Sequence, residues 1–299
     1  MAGEQQSYGR GIGFVLMATL GWSLSGLFVR FMPELDGWQI NCWRGFWTCT
    51  ALLCFLVAQY GSEAFSLFRR IPLAALLLSA GFFAFGSTMY VISLTLASVG
   101  VVSVIGATSP LFAGLFSPWV TGERPGVASW VAALLAVAGT AVIGWDKLEG
   151  GHLGALLICL LVPFCFASQT LTLRRWSNID MVPAICFGGL VSFLGAGLVG
   201  FFFHSGGGFA VSFRGVALLA LMAVVQLAIP LVFYAKGARS VPAITLSLIA
   251  MLDAVLNPLW PWIFVGEIPE RPAFIGGAVI LFAVFISIFG DRIFKRATG

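Results

Sequence analysis

The sequence is poor in charged residues and in histidine. Only 9% of its 299 residues are charged and two are histidine, whereas about 25% of the residues in soluble domains are charged. This scarcity of charge excludes an ordinary soluble domain. No basic run has interleaved aromatic residues, so we expect no nucleic-acid partner.

Several motifs that carry catalysis or bind cofactors are also missing. The six cysteines form no Cys-x-x-Cys pair, and the apolar runs contain no Gly-x-Ser-x-Gly motif and no paired carboxylates. We therefore expect the cysteines to be small buried hydrophobic residues that form neither a metal site nor a disulfide. The connections between apolar runs are short and leave no room for an extramembrane catalytic domain. Length alone does not exclude an intramembrane enzyme.

Apolar side chains are abundant instead. Hydrophobic residues make up 60% of the chain, and the mean hydropathy is +1.01. A transmembrane helix needs about 20 apolar residues, and the first run is too long for a signal peptide. The predicted spans are 10–30, 37–60, 71–93, 98–120, 126–145, 151–173, 181–203, 213–234, 241–265 and 271–290. The sequence thus predicts an all-α integral membrane protein with ten transmembrane helices in a lipid bilayer.

The positions of Lys and Arg predict the orientation of these spans. One side would hold eleven basic residues: Arg10, Arg69, Arg70, Arg124, Arg174, Arg175, Lys236, Arg239, Arg292, Lys295 and Arg296. The other side would hold four: Arg30, Lys147, Arg214 and Arg271. Because cytoplasmic loops are enriched in Lys and Arg, we predict that both termini are cytoplasmic.

Matched positions divide the chain into two halves. Tyr90 precedes Glu123 by 33 residues, and Tyr234 precedes Glu267 by the same 33. Both glutamates follow a glycine at the end of the fourth span of their half. Five spans per half is an odd number, so the second half would be inverted relative to the first. We predict an N-terminal five-helix repeat over 1–148 and an inverted repeat over 149–299, with a substrate site between them near the membrane midplane.

The stretch 241–267 is the most unusual of the spans. It is long enough to cross a bilayer, yet it contains Asp253 near its middle, followed by Asn257, Pro258 and Pro261. A carboxylate at membrane depth is costly unless it faces protein or water, and proline removes a backbone donor. We expect a locally broken helix that lines a polar cavity. The alternative is an acid paired to a neighbour, with prolines that only kink the helix.

Ten spans, two inverted halves and a Gly-Glu at the end of each fourth span resemble the drug/metabolite transporter superfamily, in its EamA-type ten-helix exporter branch. In that family a Glu-Pro or similar pair precedes each Gly-Glu. Here Ser109-Pro110 and Asp253-Ala254 lie 14 residues before Glu123 and Glu267, so each half keeps one member of the pair. Arg44, early in helix two, also matches the family pattern. The aromatic-rich spans look most similar to bacterial exporters of aromatic and other bulky amino acids.

This resemblance implies a basket of helices around a central cavity, in the inner membrane of a bacterium, with no bound cofactor. It implies export of small organic solutes by alternating access, and we expect amino acids, including aromatic and bulky ones, as substrates of a monomeric protein. A drug, quaternary cation or other metabolite transporter of the same superfamily is the alternative. An intramembrane enzyme and a channel are further rivals.

Polar and aromatic residues on the implied cavity helices are the candidates for substrate binding: Trp22, Ser25, Tyr90, Ser109, Gln169, Gln226, Asp253 and Asn257. An amino acid needs acceptors for its ammonium group, donors for its carboxylate and an apolar pocket for a bulky side chain. Asp253 can accept the ammonium group or carry a coupled proton. Trp22 and Tyr90 can stack on an aromatic ring.

Each of these residues also has an ordinary structural alternative. Serines in membrane helices often bond to their own backbone, glutamines and asparagines can tie helices together, and Trp22 can belong to the core. Arg44 can extend to the interface, pair with an acid or contact substrate. Glu123 and Glu267 are interpreted as structural features of the repeat, with gating as the alternative.

Overall fold

The chain folds into a bundle of α-helices. The structure, a computed structural model, describes residues 2–24, 27–28, 31–32, 35, 37–97, 99–144, 153–203, 211–266 and 271–297. Within these ranges all regular structure is helical, with no β-strand. Ser25, a candidate for substrate binding, and Glu267, which ends the fourth span of the second half, lie outside them.

The described part of the first half contains seven helices. They are α1 Ala2–Trp22, α2 Gly37–Tyr60, α3 Ala64–Arg70, α4 Leu73–Leu96, α5 Val99–Gly106, α6 Ser109–Val120 and α7 Val127–Gly144, with a 3₁₀ turn at Gly61–Glu63. All but the short α3, in the predicted connection between spans two and three, lie in predicted spans. The first helix begins eight residues before the predicted start at residue 10. Span four, predicted as one helix over 98–120, is divided into α5 and α6.

The second half contains more interruptions. Its helices are α8 Leu153–Arg175, α9 Val182–Phe203, α10 Phe213–Met222, α11 Ile229–Gly237, α12 Ala243–Ala250, α13 Asp253–Leu256, α14 Leu259–Val265 and α15 Arg271–Ala297. A π-helical turn, Ala223–Ala228, joins α10 to α11. Pro230 explains part of this irregularity, because it has no N–H to donate to the carbonyl of Gln226 four residues earlier.

The helices have the length and apolarity of a multi-pass membrane protein. Among the described residues, seven helical stretches are long and apolar enough to cross a membrane, and two shorter ones cover Val127–Ile143 and Ala243–Leu256. Large apolar side chains such as Leu134, Phe201 and Phe282 are exposed on the outside of the bundle, as expected for a surface in contact with lipid. The exact number of ten spans stays a prediction.

Helices from the two halves pack against each other in corresponding pairs. Helix α2 packs on α9, which are the second spans of the two halves, and α7 packs on α15, which are the fifth. Likewise α1 packs on α11 while α4 packs on α8, so the first span of each half meets the third of the other. Exchanging the halves leaves these pairings unchanged, which agrees with a two-repeat architecture.

Glycine permits the closest of these contacts. A Cβ atom added to Gly139 of α7 would lie only 2.8 Å from the carbonyl oxygen of Gly276 in α15. Small residues let helix backbones approach closely in lipid, where burial of apolar surface gives little drive for association. The α7–α15 interface is therefore held at short range along the side of the bundle.

The expected break in the stretch 241–267 is confirmed, and span four has a matching one. Residues 107–108 separate α5 from α6, and residues 251–252 separate α12 from α13. Pro110, in the first turn of α6, cannot donate a hydrogen bond to the carbonyl of Gly106, which contributes to the first break. The break before Asp253 precedes Pro258 by several residues, and nothing in the local sequence accounts for it. A second interruption, at Asn257 and Pro258, separates α13 from α14.

Candidate functional site

A chain of polar side chains crosses from α2 to α4 inside the bundle. The guanidinium of Arg44 donates a hydrogen bond to the hydroxyl oxygen of Ser87, with Nη2 and Oγ 3.3 Å apart. The Ser87 hydroxyl in turn donates to the side-chain oxygen of Asn41. Arg44 thus points toward a neighbouring helix, which decides against the alternative that it extends to the membrane interface. Among the described residues, no carboxylate forms an ion pair with it.

Tyr90, in the second half of α4, lies within electrostatic range of two charged groups from other helices. These are the guanidinium of Arg44 and the carboxyl group of Asp253. The tyrosine is 42% exposed. A side chain near charges from two other helices is suited to a polar environment inside the bundle.

Asp253 is the first residue of α13, directly after the break in the ninth span. Its Oδ1 atom is buried and has no hydrogen-bond partner among the described residues. For this oxygen, the alternative of an acid paired to a neighbour finds no support in the part of the chain that the structure describes. An unpaired carboxylate oxygen at this depth is costly unless a ligand, a proton or water satisfies it. We call Asn41, Arg44, Ser87, Tyr90 and Asp253 the charged cluster.

A hydrogen bond joins the helix that follows Asp253 to the first span. The indole nitrogen of Trp260 in α14 donates to the hydroxyl oxygen of Ser23 over 2.8 Å. Ser23 follows α1 directly and is fully buried. This bond fixes one edge of the segment from Asp253 to Trp260, whose residues are all partly exposed.

Glu123, at the end of span four, bonds to the start of the ninth span, opposite the end that contains Trp260. We call this end of the bundle, at which Arg10, Arg124, Arg174 and Arg239 lie, the basic end. Arg174 donates from Nε to Oε1 of Glu123 over 2.6 Å, and the backbone N–H of Ala243 donates to Oε2 over 3.0 Å. One carboxylate thus pairs with a cation of α8 and satisfies an N–H group at the start of α12.

Arg174 makes a further bond that extends this network. Its Nη1 donates to the carbonyl oxygen of Ala238, just after α11, over 2.9 Å. The network therefore ties the segment after α6 to α8, α11 and α12. These bonds join segments of both halves at the basic end, whereas the charged cluster lies beyond the break toward the other end.

The structure divides the residues predicted to bind substrate. Tyr90 and Asp253 come together in the charged cluster, and Asn257 lies one turn after Asp253 and donates its backbone N–H to the Asp253 carbonyl over 2.8 Å. Trp22 is buried against the rings of Phe166 and Tyr234. Ser25 lies outside the described residues.

The remaining candidates are buried in the bundle. Gln169 donates from Nε2 to the Ser79 hydroxyl over 2.9 Å, which ties α8 to α4, while its Oε1 has no partner among the described residues. Ser109 and Gln226 are likewise buried, and each has one oxygen atom with no partner in the same part of the chain. The predicted substrate contacts of these residues stay predictions.

The sequence leaves the role of Arg44 open and does not single out Asn41. Arg44 carries a usable signal, because a cation inside an apolar span must find a polar partner or reach water. Its partner Ser87 lies 43 residues away, and no local pattern indicates that pairing. Asn41 has no such signal beyond being an amide one helical turn before Arg44.

Comparison with known proteins gives a consistent family match. Two segments, residues 9–145 and 152–289, each match the model of the EamA-like transporter family. The chain is 24% identical over 219 residues to an uncharacterized transporter, YdfC, of Bacillus subtilis (strain 168), covering 71% of this chain and 69% of that protein. A solved crystal structure superposes with a TM-score of 0.83 at 18% identity, covering 95% of this chain and 98% of the other, and supports the fold alone.

Proposed function

Because the chain belongs to the EamA-like transporter family, we propose that it exports amino acids, including aromatic and bulky ones, and related small organic solutes from a bacterial cell. The family matches cover both halves of the chain. The substrate class is inferred from the charged cluster. The excess of Lys and Arg leads us to take the basic end as cytoplasmic, and the direction of transport is the one that the resemblance to EamA-type exporters implies.

The observation that carries the proposal is that Tyr90 lies within electrostatic range of both Arg44 and Asp253. An amino acid is a zwitterion, so its carboxylate requires a donor and its ammonium group an acceptor. The Arg44 guanidinium supplies donors, and the unpaired Oδ1 of Asp253 supplies an acceptor. Two opposite charges near one aromatic side chain support a common site for the two charged groups of an amino acid.

Aromatic side chains next to the charged cluster favour a bulky or aromatic substrate. Tyr90 is exposed, and Trp260 lies one to two turns beyond Asp253 and is partly exposed. Aromatic pairs contribute about 0.5–1.5 kcal/mol beyond the burial of their area. An aromatic amino acid would therefore gain ring contacts that a small one lacks.

Alternating access is supported by the contrast between the two parts of span nine. Every residue of α12, Ala243–Ala250, is buried, whereas residues 253–260 are all partly exposed. We infer that this conformation is closed at the basic end and gives access to the charged cluster from the other end. Rocking of the two halves would then expose the same cluster to the basic end.

One observation favours a second candidate function. Asp253 has an unpaired oxygen beside an exposed tyrosine ring, and an acid next to an aromatic face is also suited to a quaternary cation or a cationic drug. In that case Arg44 would be unfavourable to the substrate, because it repels a second positive charge. The two functions therefore differ in the role that they require of Arg44.

Counterflow in proteoliposomes tests the proposal. We expect external phenylalanine to accelerate exchange of labelled phenylalanine, and phenethylamine, which lacks the carboxylate, to be about tenfold less effective because it forgoes a charged hydrogen bond. Arg44→Gln should remove most of this difference, and Arg44→Lys should keep it. Measurements at two pH gradients separate proton exchange from facilitated diffusion.

Acceleration by quaternary cations but not by any amino acid would contradict the proposal and favour the second function. Conversion of a substrate without net movement across the membrane would favour an intramembrane enzyme. A flux far above carrier rates would favour a channel.

A further inference from the structure

A second cavity lies at the basic end, outside the charged cluster. It has a volume of about 430 Å³ and is lined by residues of the α6–α7 connection, α7, α12 and α15, with Tyr8 of α1 at its side. This volume is in the range of small-molecule sites, which are about 300–1,000 Å³. Tyr90, Arg44 and Asp253 do not line it. The transport proposal therefore leaves the cavity without a role.

Buried hydroxyl groups line the floor of this cavity. Thr245 of α12 and Ser287 of α15 share a hydrogen bond, with their Oγ1 and Oγ atoms 3.2 Å apart. Ser129 of α7 is only 4% exposed and also lines the cavity. A hydroxyl group can both donate and accept a hydrogen bond, so the Ser129 side chain adds a polar group to the wall of this cavity.

The electrostatics of the cavity favour an anion. Arg124 lines it and is exposed to solvent. The N–H groups of Ser129 and Trp130 in α7 already donate to the carbonyl oxygen of Gly126. The N–H groups before them, at the start of this 18-residue helix, have no acceptor within the helix and carry the positive end of its dipole. The opposing charge of Glu123 is already matched, because its two oxygens accept from Arg174 and Ala243. The cavity therefore keeps a positive character, from Arg124 and from the start of the helix.

The walls and depth of the cavity indicate where such an anion would come from. Ile244 and Ile288 supply apolar walls. The lining residues belong to the starts of α7 and α12 and to the part of α15 just before residue 290, where its predicted span ends. We therefore place the cavity near the level of the lipid headgroups. Basic pockets between helices at the cytoplasmic surface are suited to anionic headgroups.

We propose that this cavity binds a phosphate-bearing anion, with the headgroup of an anionic phospholipid in the adjacent leaflet as its source and free phosphate as the other source to be tested. Arg124 would pair with the phosphate, the start of α7 would donate backbone N–H groups, and the Ser129 hydroxyl would complete the set. The acyl chains would extend along Ile244 and Ile288 into the bilayer. This inference does not depend on which solute is transported.

Binding of short-chain lipids to the full-length protein in detergent tests this proposal. Dihexanoyl phosphatidylglycerol should bind about tenfold more tightly than dihexanoyl phosphatidylcholine, which has the same chains and phosphate but no net charge. Arg124→Glu should abolish this preference, and Arg124→Lys should retain it. Ser129→Ala, which is too conservative to prevent folding, should weaken binding of the anionic lipid by about fivefold. Isothermal titration calorimetry measures each affinity.

Arg69→Glu is the matched control, since Arg69 is an exposed cation at the same end of the bundle that does not line the cavity. It should leave the preference unchanged. Equal losses in Arg69→Glu and Arg124→Glu, equal binding of the two lipids, or normal binding by Ser129→Ala would each overturn the proposal. Competition by millimolar inorganic phosphate would identify the phosphate group alone as the recognised part. Binding that phosphate cannot displace would identify the intact lipid.

Discussion

The fourth spans of the two halves share a two-residue interruption of the helix but have different side chains directly after it. In each, a short helix ends, two residues interrupt it, and a second helix begins at the residue 14 positions before the predicted Gly-Glu. That residue is Ser109 in the first half and Asp253 in the second. Ser109 is 5% exposed and enclosed by protein, whereas Asp253 is partly exposed and lies near Tyr90.

The two repeats interrupt their fourth spans at matching positions, but only the second repeat has an acid at that position. A proline at position 110 accompanies the break in the first half, and the acid is absent there; in the second half the acid is present and alanine replaces the proline. The partner charge, Arg44, belongs to the first half. A polar site between two related halves can therefore be asymmetric, with each half supplying one sign of charge.

The largest loss of stability should come from placing an acid at Ser109, the buried counterpart of Asp253. Ser109→Asp puts a carboxylate where its described surroundings offer no partner for the present hydroxyl. An uncompensated buried charge costs about 3–5 kcal/mol, so we expect a strongly lowered melting temperature for the detergent-solubilised protein. Ser109→Ala is the control and should melt close to wild type. Equal melting of Ser109→Asp and wild type would show that this position is open to water, like its counterpart.

A smaller effect, on transport and not on folding, should follow from removing the acid of the second half. Asp253→Asn keeps the shape but deletes the charge that would hold an ammonium group, and a hydrogen bond to a charged group contributes about 1.5–3 kcal/mol. We expect exchange of phenylalanine to slow by about tenfold or more, with an unchanged melting temperature. Ser109→Ala should transport normally. Normal exchange of phenylalanine by Asp253→Asn would contradict the assignment of Asp253, and not Ser109, to the substrate site.

The smallest effect should appear at the basic end, where Glu123 follows the first of the two spans. Glu123→Gln weakens both the pair with Arg174 and the bond from Ala243, and we expect a loss of about 1–2 kcal/mol in unfolding free energy. Glu63→Gln is a suitable control, because Glu63 pairs with Arg70 at 3.5 Å on the surface, where the two side chains are 70% and 66% exposed. Such surface pairs contribute less than about 1 kcal/mol. Equal shifts in the two variants would contradict a structural role for Glu123.

The sequence reveals the parts of this arrangement that depend on local pattern. The length of the apolar runs predicts the helices, and Asn257 and Pro258 predict the second interruption in the stretch 241–267, although not the one before Asp253. The equal spacing to the following Gly-Glu is enough to match Ser109 with Asp253. These features are visible because each is contained within one span.

What the sequence could not reveal depends on contacts between distant helices. Glu123 bonds to residues 51 and 120 positions away, and Arg44 bonds to Ser87, 43 positions away. Trp22 and Gln169 have side chains typical of a binding site. However, Trp22 is covered by a neighbouring helix, and Gln169 donates a hydrogen bond to Ser79. Composition identifies which side chains are suited to a site, and helix packing determines which of them line it.

The two hydrogen bonds that Glu123 accepts have a consequence for the leakage of ions through the protein. Both of its partners, Arg174 and Ala243, belong to the second half of the chain, so a single side chain of the first half bridges the two. In the proposed alternating-access cycle, separating the halves at this end would break the bonds of Glu123 to a guanidinium and to a helix start together, so this end would open in a single step. Partial openings, through which protons and small ions would leak while the charged cluster still faces the other side, would thereby be disfavoured.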